Sequence, residues 1–455
     1  MTLRTLATAE IIAVGTEMLG ADRTDTNSLF ITARLNEVGI AVRAKAVVGD
    51  DFGDLTALLS QALQRVDLVV LTGGLGPTDD DLTRQAVAHV AGRPLVEDPR
   101  IVDLIRARFE RRGMRMPDIN RRQALVMEGA TTLDNPVGTA PGMWVESAGQ
   151  VVVLLPGPPR EMRPMFEALV AGPLAARVGA ERMVRRTVRL VGRTESHAEE
   201  RLKPLYEQWA AGQPPIAVTI LAARGKIELQ LTVRAGDETR AAAVLERAVD
   251  DVVGAFGADV CSTDGRELEE VVGDLLRARG LRLALAESCT GGLVTSRLTD
   301  VPGSSDYIDR GVVAYSNRAK VDLLDVPEDL IAEHGAVSEP VAVAMAEGVR
   351  RLSGTDIGVG VTGIAGPGGG TEAKPVGTVA IAVAGPGDAV RVRMGLFPGT
   401  RHHVKMFSAT AAIDMIRRAL IDSRALGLSA NGPPPQASSR EPARPPLTDA
   451  PEPRA

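Results

Sequence analysis

The sequence predicts an α/β protein in which two α/β domains with mainly parallel sheets are joined by a small α+β module. Three observations carry this prediction. Short apolar runs alternate with helical patterns over residues 9 to about 172 and again over 262–426, as in successive βαβ units. Residues 183–258 break that rhythm and read in the order β-α-β-β-α. Glycine-rich turns follow several of the buried runs, at the position where open α/β sheets take their ligands.

Taken in order, residues 11–15 read as a strand, and Asp25 or Thr26 caps a helix running to Gly39. Residues 42–48 form the next strand, then a helix spans about 51–65. Residues 67–72 are a buried strand ending in Gly73-Gly74-Leu75-Gly76-Pro77, followed by a helix from about Asp81 to Ala91. A strand at 151–155 is halted by Pro156-Gly157-Pro158-Pro159 before a helix that starts near Arg160.

In the middle segment, 184–191 is a strand and 195–209 a helix. Residues 216–222 and 226–233 form a hairpin around Arg224-Gly225, and 237–253 is helical. The order is similar to that of KH-type domains, but the GXXG clamp that grips an RNA backbone is missing, so a spacer or dimerisation role is expected. Further on, a helix at 267–279 leads to a strand at 282–287, the loop Ser288-Cys289-Thr290-Gly291-Gly292 and another helix. Strands follow at 312–315, 357–362, 376–384 and 390–396, and a helix over 401–425 closes the domain. The expected boundaries are therefore 1–175, 180–260 and 262–426. A proline-rich tail over 429–455 cannot bury a core and is expected to be disordered.

Composition narrows the function. The 455 residues include only 12 aromatic ones, and the net charge is −6, which argues against direct nucleic-acid binding through a basic, stacking surface. Two cysteines, Cys261 and Cys289, make no disulfide framework, and no apolar stretch approaches the roughly 20 residues of a membrane span. A cytoplasmic protein without membrane partners is expected. Of the 52 basic residues only six are lysine, at 45, 203, 226, 320, 374 and 405, so a lysine beside reactive groups stands out.

Two short sequences repeat one physical solution: 71–77 (LTGGLGP) and 361–367 (VTGIAGP). Glycines after a buried strand let backbone N–H groups approach a phosphate. The first loop runs into Asp79-Asp80-Asp81. These carboxylates serve either as caps for a following helix or, beside phosphate-cradling glycines, as ligands of a Mg²⁺–diphosphate site. No histidine spacing fits zinc.

Gly15-Thr16-Glu17, Asp25-Thr26-Asn27, residues 72–83 (TGGLGPTDDDLT), 135–142 (NPVGTAPG) and 155–159 (LPGPP) together resemble the CinA family, whose N-terminal domain is related to molybdopterin-binding proteins. In those relatives an arginine precedes the aspartate that matches Asp81; here the position is Asp80. The resemblance implies a metal-dependent ADP-ribose pyrophosphatase. On that reading Asp80 and Asp81 hold Mg²⁺ or another divalent metal, and Glu17 is a third carboxylate or base. Asn27, Gly73, Gly74, Gly76, Thr83 and Asn135 complete the site.

In the C-terminal half, Ser304 or Ser305, Tyr315 and Lys320 offer a hydroxyl nucleophile, a relay and a base within 17 residues, provided burial lowers the lysine pKa. Chemistry alone does not separate the two serines. The segments ESCTGG (287–292), PGSS (302–305), YS with a lysine five residues after the tyrosine, and TGIAGPGGG (362–370) resemble the nicotinamide-nucleotide amidase domain that forms the C-terminal half of CinA proteins. This resemblance implies hydrolysis of nicotinamide mononucleotide without a cofactor. It assigns Ser305 as nucleophile, Lys320 as general base and Tyr315 as the group that orients or shuttles the proton. Ser288, Thr290, Gly291, Gly292, Thr362, Gly363, Gly366 and Arg401 line the substrate, with Arg401 a phosphate partner. The expectation is a homodimeric pyridine-nucleotide salvage hydrolase acting on small-molecule nucleotides. Its rivals are a molybdopterin-precursor phosphoryl or adenylyl transferase and a non-enzymatic adaptor in competence or DNA damage.

Overall fold

The computed structural model describes residues 4–147, 149–223 and 225–422; the tail predicted over 429–455 lies outside them. The N-terminal elements are β1 (Thr8–Val14), α1 (Thr26–Glu37), β2 (Ala41–Val48), α2 (Phe52–Leu63), β3 (Leu68–Thr72), α3 (Thr83–Ala91) and β4 (Leu95–Glu97). They continue with α4 (Pro99–Glu110), β5 (Leu125–Met127), β6 (Thr131–Leu133), β7 (Gly142–Ser147), β8 (Gln150–Leu155) and α5 (Pro159–Leu169). A six-stranded sheet has the order β2-β1-β3-β8-β7-β6. Its first four strands are mutually parallel, and β7 and β6 add an antiparallel edge.

Alternation of side chains along each strand divides the core in two. Ile12, Val14, Val69 and Leu71 pack with Leu55 and Leu59 of α2 and Val87 of α3. Ala9, Ile11, Leu68 and Val70 pack on the opposite face with Ile31 and Leu35 of α1 and Met162 and Phe166 of α5. Burial on both faces is why these strands read as unbroken apolar runs. Asp25 caps α1 by accepting from Ser28 N at 2.9 Å, and Asp51 caps α2 by accepting from Asp54 N at 2.8 Å. The helix expected from Asp81 starts at Thr83 instead, because the Asp81 carboxylate is engaged with the loop before it.

The middle segment shows the predicted order: β9 (Arg182–Val191), α6 (Glu195–Ala210), β10 (Ile216–Ala223), β11 (Lys226–Ala235) and α7 (Glu238–Phe256). The C-terminal elements are β12 (Val260–Ser262), α8 (Leu268–Arg279), β13 (Leu283–Glu287), α9 (Leu293–Thr299), β14 (Ile308–Val313), α10 (Asn317–Leu324) and α11 (Glu328–His334). They end with α12 (Glu339–Ser353), β15 (Ile357–Gly363), β16 (Thr378–Ala384), β17 (Val390–Leu396) and α13 (Arg401–Ile421). The middle strands form a sheet of order β10-β11-β9-β12. By internal contacts the chain divides into two compact units. The first holds Met1–Arg185, Gly212–Ile216 and Thr232–Leu245, and the second holds Arg186–Ala211, Ala217–Leu231 and Glu246–Ala455.

The C-terminal sheet has the order β14-β13-β15-β16-β17, with β14, β13 and β15 parallel and β16 and β17 antiparallel. One face packs Leu283, Leu285 and Val359 against Leu276 of α8, Val294 of α9 and Ile413 of α13. The other packs Ala284 and Ala286 against Leu324 of α10 and Val341 and Met345 of α12. Side chains are missing from β15 where α12 lies closest. A Cβ on Gly358 or Gly360 would fall 2.1 Å from Ala346 O or 2.2 Å from Ala342 O. Among the described residues no helix is long and apolar enough to cross a membrane.

Candidate functional site

Each half has a point where strand order reverses, the expected ligand position in an open α/β sheet. In the first, β1 lies between β2 and β3, so successive connections leave it in opposite directions. In the second, β13 lies between β14 and β15.

The N-terminal crevice is a cleft of about 340 Å³ lined by Gly15, Glu17, Gly73, Gly74, Gly76 and Asp80, among others. Gly73 has φ +101°, and a Cβ there would sit 2.1 Å from Val14 O, so only glycine lets this turn lie against β1. Thr83 fastens the turn from below by donating to Gly73 O at 2.8 Å. Asp81 closes it: one carboxylate oxygen accepts from Gly76 N at 2.6 Å, the other from Thr78 N at 2.9 Å and Thr78 Oγ1 at 2.5 Å.

That geometry occupies Asp81 of the expected Asp80–Asp81 metal pair, while Asp80 stays exposed at the cleft. Asp81 already accepts three hydrogen bonds from its own loop, and Asp79 pairs with Arg122. Among the described residues no group of three or more His, Cys, Asp or Glu is arranged to hold a metal ion. The residues present therefore do not fit a preassembled Mg²⁺ centre. Asn135 is also spent on structure: its amide donates to Ala140 O and Glu161 Oε2, and its oxygen accepts from Val137 N and Gly138 N. Asn27 donates to Gly157 O at 2.7 Å, while its Oδ1 is buried without a partner. Sequence reading missed Asp50 and Glu161, which line the cleft just after β2 and in the first turn of α5. Their place beyond a strand end, or at a helix start after one, is the signal that would have found them.

In the C-terminal crevice, the ends of β13, β14 and β15 bring Ser288, Tyr315 and Thr362 to one side of the sheet. Ser288 N donates to Val361 O at 2.9 Å, fixing the start of the turn on β15. Lys320 comes from α10, capped by Ser316, and is only 1 % exposed. Its Nζ donates to Ser288 Oγ at 3.2 Å, to Ala314 O at 3.2 Å and to Tyr315 O at 3.4 Å. Burial lowers the Lys320 pKa below the usual lysine value, against a weaker upward pull from Cys289. A buried lysine without a carboxylate partner is poised to lose its proton.

This contact places Ser288, and not the expected Ser305, beside Lys320. Ser305 is exposed on the short turn Ser304–Asp306, and none of Lys320's hydrogen bonds reaches it. The hydroxyl that meets the Lys320 amine is Ser288. Tyr315 meets two partners. Its backbone carbonyl accepts from Lys320, whereas its phenol accepts from Arg401 at 2.8 Å. Arg401 also donates to Gly366 O at 2.8 Å and so ties two loops together. Thr362 donates to Ala336 O at 2.8 Å and is a structural pin. Gly363 leaves room for Cys289, whose Sγ would lie 2.9 Å from a Cβ at that position. Burial pushes the Cys289 thiol up to about 12, away from the thiolate form that a sulfur nucleophile needs. Thr290 is fully buried, and its Oγ1 has no partner.

Glu287, the acid next to Ser288, has a separate task. Both Glu287 oxygens are taken up by the start of α9, accepting from Val294 N at 3.1 Å and from Thr295 N and Oγ1 at 2.8 and 2.7 Å. Glu287 thus stiffens the Ser288–Gly292 turn from behind.

Residues 10–176 match the model of a probable molybdopterin binding domain, 185–260 that of the damage-inducible protein CinA KH domain, and 265–420 that of the CinA C-terminal domain. A putative competence-damage inducible protein of Symbiobacterium thermophilum is 47% identical over 427 residues, covering 91% of this chain and 99% of that protein. A CinA-like protein of Koribacter versatilis is 44% identical over 419 residues, covering 91% of this chain and all of that protein (100%). The crystal structure of the competence/damage inducible protein CihA from Agrobacterium tumefaciens is 38% identical with TM-score 0.33, covering 35% of this chain and 99% of that one. The identity to the two full-length relatives settles the family: the chain belongs to the CinA family.

Proposed function

We propose that the C-terminal site hydrolyses the carboxamide of nicotinamide mononucleotide to the nicotinate nucleotide and ammonia, with Ser288 as nucleophile and Lys320 as general base. The observation that carries this reading is a buried Lys320 in contact with the Ser288 hydroxyl and with no carboxylate among its partners. Neutral Lys320 takes the Oγ proton as Oγ attacks the carboxamide carbon. Lysine then gives that proton to the departing nitrogen as the C–N bond breaks, which frees ammonia and leaves an ester on Ser288. Water attacks the ester and passes a proton to Lys320. The bond to Oγ breaks, and Oγ takes the proton back from lysine. Ammonia release from nicotinamide mononucleotide by the purified chain, without added metal, tests the reading. Undiminished release by a folded Lys320→Ala variant would remove lysine from the mechanism.

The N-terminal cleft supports a second reading, cleavage of the diphosphate of ADP-ribose-like nucleotides. The close-packed glycine turn at a switch point favours it, since such turns present backbone to phosphate. Because the carboxylates make no cation centre by themselves, any divalent metal has to be completed by substrate oxygens. Turnover of ADP-ribose that is insensitive to chelation would exclude metal dependence.

A further inference from the structure

Arg401 and Lys405 stand one turn apart at the start of α13, on the same side of the helix. They differ in what they hold. Two arms of the Arg401 guanidinium are committed to neutral oxygens, the Tyr315 phenol and Gly366 O, each at 2.8 Å. The Lys405 ammonium has no hydrogen bond or ion pair among the described residues. It stands over the nucleophile's turn: a Cβ built on Gly291 would lie 3.6 Å from its Nζ. Gly291 N in turn donates to Ser288 O at 3.1 Å, so this cation overlooks the loop that carries the reacting hydroxyl.

Lys320, Arg401 and Lys405 bring three basic side chains to the neighbourhood of the Ser288–Gly292 turn, and the buried Glu287 carboxylate is consumed by the start of α9. A neutral amide would leave the Lys405 charge unanswered, whereas an anionic group placed one helix turn from the Arg401 strut would meet it. We propose that Lys405 is the anion subsite of this crevice, taking the phosphate monoester of the substrate, and that Arg401 is a positioning residue for Tyr315 and the Gly366 loop. The assignment rests on the amidase reading for the identity of the substrate and on side-chain placement for the subsite itself. It moves the phosphate contact from Arg401 to a residue four positions along.

Two measurements on the full chain separate the assignment from the reading beneath it. The first compares ammonia release from nicotinamide mononucleotide and from nicotinamide riboside, which lacks the phosphate, in wild type, Lys405→Met and Lys405→Arg. The ratio of kcat/KM for the nucleotide over the riboside is expected to fall about 10- to 100-fold in Lys405→Met, carried by KM, and to recover in Lys405→Arg. An unchanged ratio overturns the assignment. The second is calorimetric binding of ribose 5-phosphate, which needs no catalysis. Loss of binding in Lys405→Met, with an unaltered melting temperature, supports the subsite even if no amide is hydrolysed. Equal binding in wild type and Lys405→Met overturns it. Absence of ammonia from either substrate in wild type defeats the amidase reading alone.

Discussion

The two crevices share a backbone and differ in charge. Both sit at the carboxyl ends of parallel strands, both have a strand-order reversal, and both use a glycine turn of nearly the same sequence, 71–77 and 361–367. In the N-terminal crevice a carboxylate, Asp81, folds back and closes the turn on itself. In the C-terminal half the corresponding loop is closed from outside, by Arg401 on Gly366 O, and the Ser288–Lys320 contact is delivered by β13 and α10. The comparison teaches that a glycine motif reports a place for a ligand and says little about the chemistry done there. The chemistry follows from whether the neighbouring charges are spent on the fold or left facing the crevice.

The sharpest way to break the contrast is to remove the reactive pair. Ser288→Ala and Lys320→Ala should each lower ammonia release by about 10³-fold or more, while the chain stays folded by circular dichroism. Ser305→Ala, by contrast, should cost less than about fivefold; a loss as large as that of Ser288→Ala would restore Ser305 as the nucleophile.

The next effect is on pH. Because burial lowers the Lys320 pKa, kcat/KM should climb tenfold per pH unit on an acid limb whose midpoint lies below the ordinary lysine value of about 10.4. Stability should move with it. Between the lowered folded pKa and the ordinary one, the unfolded chain binds more protons than the folded chain, so wild type gains stability as pH rises through that window. Lys320→Met should therefore resist urea better than wild type at neutral pH, and the gap should close toward pH values near the ordinary lysine pKa. A pH-independent gap would count against a strained ammonium.

A smaller effect tests the closed turn. Asp81→Asn leaves Gly76 N and Thr78 with a weaker acceptor and should cost the N-terminal unit about 1.5–3 kcal/mol in urea unfolding. The same change should not touch ammonia release. An unaltered unfolding midpoint would mean that the Asp81 carboxylate is not holding the loop and is available to a cation after all.

Much of this was legible in the sequence, for physical reasons that particular residues make plain. The parallel strands are buried on both faces, so residues 67–72 and 151–155 announce themselves as apolar runs, and Asp25 and Asp51 mark helix starts because their side chains satisfy free N–H groups. The antiparallel strands β6 and β7 were not legible: three residues at 131–133 carry no period, and 142–147 begins with the glycine that packs against Leu154 O. Lys320 could be singled out because lysine is rare here and this one sits in a defined motif. Its partner could not, since Ser288 and Ser305 are both hydroxyls at a turn, and only the path of α10 decides which one the amine reaches. Asp81 misled for a similar reason. A carboxylate after glycines looks the same whether it faces a metal or the loop's own amides, and that choice is made by the fold of residues 76–78.

Cys289 gives the site a practical signature. It stands next to the proposed nucleophile, yet it is walled in by Gly363 and Val379 on the far side of the turn and holds its proton up to about 12. In most proteins a cysteine at such a position would be the first atom an electrophile finds. Maleimides and iodoacetamide should pass the folded chain by, whereas phosphonylating reagents selective for activated serines should mark it at one peptide, so that labelling could count competent sites in a crude extract without any substrate being turned over.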